Sequence, residues 1–255
     1  MNKLFLIINT LLLSLFTINS NSYGWGFSKN KDHKQPYIGI YEEEIKDTNS
    51  FYVGNNDEKK VYLTFDAGYD NGNLIKILDI LDDKEVEGTF FVTGDFLNRF
   101  SELTIEINKR GHIVGNHTWS HKNITSLSKD EIENELLKVE NKYYELTGEK
   151  LNKYFRPPAG VFNKNSLNVI KDNGYTTLFW SIAYKDWDTN NQSNIDVSVN
   201  SVIDNLHNGA IILLHTVSDS NVLALPIIID KIREEGYEIS SINELYINSN
   251  DFLLN

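Results

Sequence analysis

Residues 61–72 read VYLTFDAGYDNG. The first five, Val61-Tyr62-Leu63-Thr64-Phe65, are β-branched, aromatic or aliphatic, the composition of a buried strand. The run stops at one carboxylate, Asp66, and is followed by Ala67, Gly68 and a polar, glycine-containing stretch. Further strands are predicted at Gly88–Thr93, His112–Gly115, Lys153–Arg156, Thr176–Ala183, Ala210–Thr216 and Glu238–Ile242. Helical stretches are predicted between them at Leu74–Leu81, Glu102–Lys109, Lys129–Leu146, Lys164–Asn173, Asn194–Leu206 and Val222–Glu235. In Lys129–Leu146 the residues Ile132, Leu136, Val139, Tyr143 and Leu146 recur at steps of three and four, one apolar face of a helix. Strand–helix alternation implies a mostly parallel sheet covered by helices. The fold class is therefore α/β, a distorted (β/α) barrel with about seven parallel strands. Its site belongs at the C-terminal strand ends, where Asp66 falls.

The bulk composition is consistent with one large domain. The chain has 255 residues, 40% hydrophobic and 24% charged, enough to bury a sizeable core. A formal net charge of −12 argues against nucleic acid and anionic membrane surfaces as general partners. The absence of cysteine excludes disulfides, thiolate metal sites and a thiol nucleophile. At the N-terminus one lysine, Lys3, precedes an apolar run from Leu4 to Ile18 and then small and polar residues. This is the layout of a secretory signal peptide, cleaved or kept as an anchor, and it directs the chain out of the cytoplasm. The expected organisation is a leader at 1–23, a polar extension at 24–60 packing on the barrel, and a catalytic domain at 61–250. No transmembrane span is expected beyond the leader, and the chain is expected to act as a monomer.

Four more strand ends carry polar groups. NHTWSH, Asn116 to His121, places His117 and His121 four positions apart. On a helical turn that spacing puts both imidazoles on one face, within reach of one divalent ion. Two surface histidines would give the same spacing; their position directly after a strand favours the ion. The Asn-X-Thr sequons at Asn116 and Asn123 are expected to be accidental, since a glycan there would cover the site. YFRPPAG, Tyr154 to Gly160, sets Arg156 before two prolines that stiffen the backbone. WSIAYKDWD brings Asp186 and Trp187 after an apolar stretch, and IILLHTVS ends an apolar strand with His215. Among the six histidines, His112 reads as structural, and nothing singles out His33 or His207.

Taken in order, TFDAG, HTWSH, RPPAG, KDWD and LLH resemble the five motifs of the polysaccharide deacetylase (NodB-homology, carbohydrate esterase family 4) domain, over about residues 61 to 245. WGF at 25–27, FYVGN at 51–55, GYDNG at 68–72 and LLHTVSDSNVLAL at 213–225 resemble its δ-lactam-forming branch, the muramic acid deacetylases of spore cortex peptidoglycan. The resemblance implies metal-dependent hydrolysis of a sugar N-acetyl group on peptidoglycan glycan strands. It implies His117 and His121 as ligands of a divalent ion, with zinc first and cobalt or nickel next. It makes Asp66 the general base and His215 the acid, with Arg156 orienting Asp66 and Asp186 tuning His215. The Ala159 backbone N–H would stabilise the oxyanion, and Trp187 and Leu213 would wall the acetyl pocket.

The departure is at position 67. Most members carry a second aspartate there as the third metal ligand; alanine has no donor atom. Asp70 is a candidate substitute, with a helix-start role as its competing reading. The δ-lactam branch itself lacks the second aspartate. Three functions stay open on the sequence: a muramic acid deacetylase, an N-acetylglucosamine deacetylase, and an inactive wall-binding protein that lost its metal.

Overall fold

The computed structural model of the chain describes residues 21–28 and 32–245. Most of the leader predicted at 1–23 lies outside the described residues.

The strands in chain order are β1 (Tyr23–Gly24), β2 (Ser50–Phe51), β3 (Lys60–Ala67), β4 (Thr89–Val92), β5 (Ile113–Asn116), β6 (Tyr154–Phe155), β7 (Val161–Phe162), β8 (Thr176–Leu178), β9 (Ala210–His215) and β10 (Glu238–Ile239). The helices are α1 (Tyr41–Ile45), α2 (Leu74–Asp83), α3 (Gly94–Arg99), α4 (Ser101–Lys109), α5 (Lys129–Thr147), α6 (Lys164–Asp172), α7 (Ile195–Ile203) and α8 (Asp219–Glu234). Eight strands form one sheet, in the order β10-β3-β4-β5-β6-β8-β2 with β9 also on β3, and every pairing in it is parallel. A parallel bridge from Ile182 to Ile212 and an antiparallel one from Val53 to Ala210 draw the two sides together into the distorted (β/α) barrel expected from the sequence.

Each predicted strand is present, and β2 joins them from the polar N-terminal stretch, too short to show a period. β3 explains the layering. Val61, Leu63, Phe65 and Ala67 pack with residues of α2 and α8 in the main core, whereas Tyr62 joins a separate cluster on the other face. The two-residue side-chain period places Thr64 and Asp66 on that same inner face. The strand reads as an unbroken apolar run because helices cover its outside and the barrel closes over its inside.

α5 starts on a reciprocal capping box between Ser128 and Glu131 and stops at Gly148, left-handed at φ 75°. Its buried face carries Ile132, Leu136, Val139 and Tyr143, as the spacing predicts. One strand is shorter than expected. The apolar run 176–183 leaves the sheet after Leu178, because the carbonyls of Leu178 and Phe179 turn to a buried guanidinium, Arg156. Among the described residues no helix is long and apolar enough to cross a membrane.

Candidate active site

The polar residues flagged at the strand ends form two linked groups. In the first, Arg156, with no exposed surface, holds Asp66: Nη1 donates to Asp66 Oδ1 at 2.9 Å. The rest of the guanidinium is spent as well, Nη2 on Thr64 Oγ1 at 2.8 Å and Nε on the Leu178 carbonyl at 3.0 Å, while its plane lies 4.2 Å over the Phe91 ring. Burial pushes the Asp66 pKa up, but the charge of Arg156 foremost, with that of His215 and the Arg156 hydrogen bond, outweighs it and leaves the carboxyl below its usual range. Asp66 is thus ionised at neutral pH and oriented.

His117 stands beside it, with Nε2 3.6 Å from Asp66 Oδ2. Its Nδ1 lies 2.8 Å from the Arg156 carbonyl, an acceptor only, so Nδ1 carries the proton and Nε2 presents a lone pair to the site. Burial foremost lowers the His117 pKa to about 4, which keeps the ring neutral. His121 is exposed and faces His117 edge-on, ring centroids 4.8 Å apart. The two rings meet as predicted, but not on a helical turn. Residues 117–123 form an irregular loop with Thr118 at φ 67° and His121 at φ 54°. Buried Glu135 of α5 pins that loop, accepting from the Ser120 backbone N–H at 2.7 Å and from Ser120 Oγ at 2.9 Å. Thr118 Oγ1 also accepts from the His121 N–H at 3.0 Å. Asn116 is buried and donates to the Leu136 carbonyl and Tyr175 Oη, so its sequon is closed to a glycan.

The second group centres on His215. Asp186, 3% exposed, contacts His215 Nδ1 at 2.6 Å and accepts the His215 backbone N–H at 2.8 Å. Burial alone would lower the imidazole pKa; the hydrogen bond and charge of Asp186, aided by Asp66, more than offset this and raise it. Sequence reading missed the support behind Asp186. Asn221 Nδ2 donates to Asp186 Oδ2 at 2.6 Å and to the His215 carbonyl at 3.0 Å, and Tyr184 Oη donates to Asn221 Oδ1. Trp187 is half exposed, its ring 5.6 Å from that of His215. Leu213, two residues before His215 on β9, is buried on the same face. The groups join through the sheet, since Asp66 and His215 are register partners on β3 and β9.

Ala159 lies in the one-turn 3₁₀ segment Pro158–Gly160 that follows Arg156-Pro157. It is exposed and left-handed at φ 53°, unusual for a residue with a Cβ. Asp70 is settled by its contacts. It accepts from the N–H groups of Gly72 at 2.9 Å and Leu74 at 3.0 Å, starting α2 rather than facing the histidines. Ala67 is fully buried in the main core. For a divalent ion the donors fit in part. Two imidazoles are presented, one with the hydrogen-bonded Nδ1 usual in metal-binding histidines, yet among the described residues no set of three His, Asp or Glu side chains converges.

The sequence matches the polysaccharide deacetylase family over residues 53–178. It is 42% identical to the peptidoglycan-N-acetylmuramic acid deacetylase PdaA of Bacillus subtilis, over 87% of this chain and 84% of that one. It is 33% identical to a peptidoglycan-N-acetylglucosamine deacetylase of Bacillus cereus, over 74% of this chain and 89% of the relative. The solved structure of Bacillus subtilis PdaA, described as a family 4 carbohydrate esterase, superposes with a TM-score of 0.87 at 41% identity, covering 89% of this chain and 98% of that one. The chain belongs to the polysaccharide deacetylases of carbohydrate esterase family 4.

Proposed function

We propose that this protein hydrolyses the N-acetyl group of N-acetylmuramic acid in peptidoglycan, outside the cytoplasm, and so supplies the amine that closes to muramic δ-lactam in spore cortex. The observation that carries the reading is the facing pair of locked groups, Asp66 held by Arg156 and His215 held by Asp186. Amide hydrolysis needs these two roles at once. Ionised Asp66 takes the proton of the attacking water, and protonated His215 delivers one to the departing nitrogen. The Ala159 N–H serves the developing oxyanion, where one donor contributes about 3 kcal/mol. Trp187 and Leu213 wall the acetyl pocket. His117 and His121 would hold a divalent ion, zinc foremost, whose chemistry is to acidify the water. With Ala67 lacking a donor, the chain itself would offer that ion these two imidazoles. Once the amine is free, its proximity to the lactyl carboxyl on the same sugar favours ring closure.

Muramic acid is preferred over N-acetylglucosamine because the relative of that name is the more similar of the two, 42% against 33% identical. Ala67 is the one feature that favours an inactive wall-binding protein; a complete acid–base set, which a binder does not need, stands against it. The test is mass spectrometry of defined muropeptides after incubation with zinc-loaded protein. Loss of acetyl from muramic acid is expected. Loss from glucosamine alone would move the specificity, and loss from neither sugar with polymer binding intact in Asp66→Asn would establish the binder.

A further inference from the structure

The aromatic end of the N-terminal extension does more than pack on the barrel. Trp25 grips both backbone segments that shape the site. Its backbone N–H donates to the Gly160 carbonyl at 2.8 Å, beside the left-handed Ala159 turn. Its indole Nε1 donates to the Trp180 carbonyl at 2.9 Å, and its ring stacks on Phe179 at 4.2 Å. Leu178 and Phe179 are the residues whose carbonyls receive the Arg156 guanidinium, which in turn fixes Asp66. The fit at Gly160 is tight. A Cβ there would come within 2.9 Å of Trp25 Cβ and 2.8 Å of the Trp180 ring. The residues just before Trp25 are anchored, by β1 pairing antiparallel to β7 and by Tyr41 Oη donating to the Gly24 carbonyl at 2.7 Å.

We propose that Trp25 is a positioning residue for deacetylation: through Gly160 it sets the Ala159 N–H, and through Phe179–Trp180 it sets Arg156 and thereby Asp66. The inference rests on the reading of Ala159 and Asp66 as groups that meet the reacting amide. Two backbone places twenty residues apart are held by this one residue, Gly160 through its N–H and Trp180 through its indole, and Phe179–Trp180 lies outside regular structure. A shift of about 1 Å in such groups can cost about a hundredfold in rate.

Trp25→Ala and Trp25→Phe in the full chain test it. For Trp25→Ala, kcat for acetate release is expected to fall by about a hundredfold with KM little changed. Amides at 156–162 and 178–182 should exchange faster with deuterium while those of α5 and α8 stay protected. Trp25→Phe keeps the stacking and loses one hydrogen bond, so it should recover to within about fivefold of wild type. Retained kcat in Trp25→Ala overturns the proposal. So does a loss of kcat accompanied by faster exchange throughout α5 and α8, with Trp25→Phe no better, since that is general destabilisation. Should the wild-type chain release acetate from no wall sugar, the deacetylase reading fails. The exchange of the two segments then still reports whether Trp25 braces them.

Discussion

The two halves of the site are built to different standards. The proton-handling half is rigid. Asp66 and His215 each sit at a strand end, each is bound to a buried partner of opposite charge, and Thr64 and Asn221 satisfy those partners in turn. The imidazole cradle is open. His121 is exposed on an irregular loop, and Ala67, which offers no donor atom, is turned into the core. In the proposed reaction the groups that would move protons are fixed by the fold, whereas the proposed ion site would be completed by what enters it.

The contrast is sharpest at Asp66. Asp66→Asn is expected to lower acetate release by about a thousandfold. It also strands Arg156 in the interior and should destabilise the fold by roughly 3–5 kcal/mol, read by denaturant titration. A variant retaining a tenth of wild-type activity would break the comparison on its rigid side. Asp186→Asn comes next, with kcat down about a hundredfold. Because Asp186 raises the His215 pKa above 6.5, the charged ring stabilises the folded state fully below that pH, and the contribution fades as pH climbs through the raised value. The basic limb of the pH–rate profile should therefore move to lower pH in the variant, and its Tm deficit should be widest below pH 6.5 and narrow above it.

The open side is probed by Ala67→Asp. A third ligand is expected to tighten zinc binding about tenfold or more by isothermal titration, and equal affinities would show that position 67 does not limit the site. The smallest effect belongs to Ser120→Ala. It removes one of two hydrogen bonds from the loop to Glu135 and should weaken stability by about 1 kcal/mol, measured as a fall in Tm, with a few-fold loss of zinc affinity.

The same division marks what could be read from the chain. The predicted strands and the helix face of α5 were legible because each is written in a local period, and the candidate site residues were picked out because each lies at or after a strand end. His117 and His121 were paired by spacing, but the loop geometry that joins them depends on Glu135, fourteen residues beyond His121. The supports of His215 were equally hidden. Asn221 and Tyr184 are ordinary polar residues until the fold sets them against Asp186. The early end of the strand at Leu178 was invisible for the same reason, since what competes for its carbonyl is Arg156, just past the end of β6. Trp25 lay in a stretch with no period at all.

Asp66 and His215 occupy matching rungs of neighbouring strands. The gap between the proposed proton taker and proton giver is consequently measured out by the backbone ladder, about 4.8 Å per strand, and not by any loop. Loops around the rim are free to lengthen or change their sugar preference while that gauge stays constant. Deleting a single residue inside β9 would do what no loop change can, rotating the imidazole to the outside of the barrel and leaving the carboxylate without its counterpart.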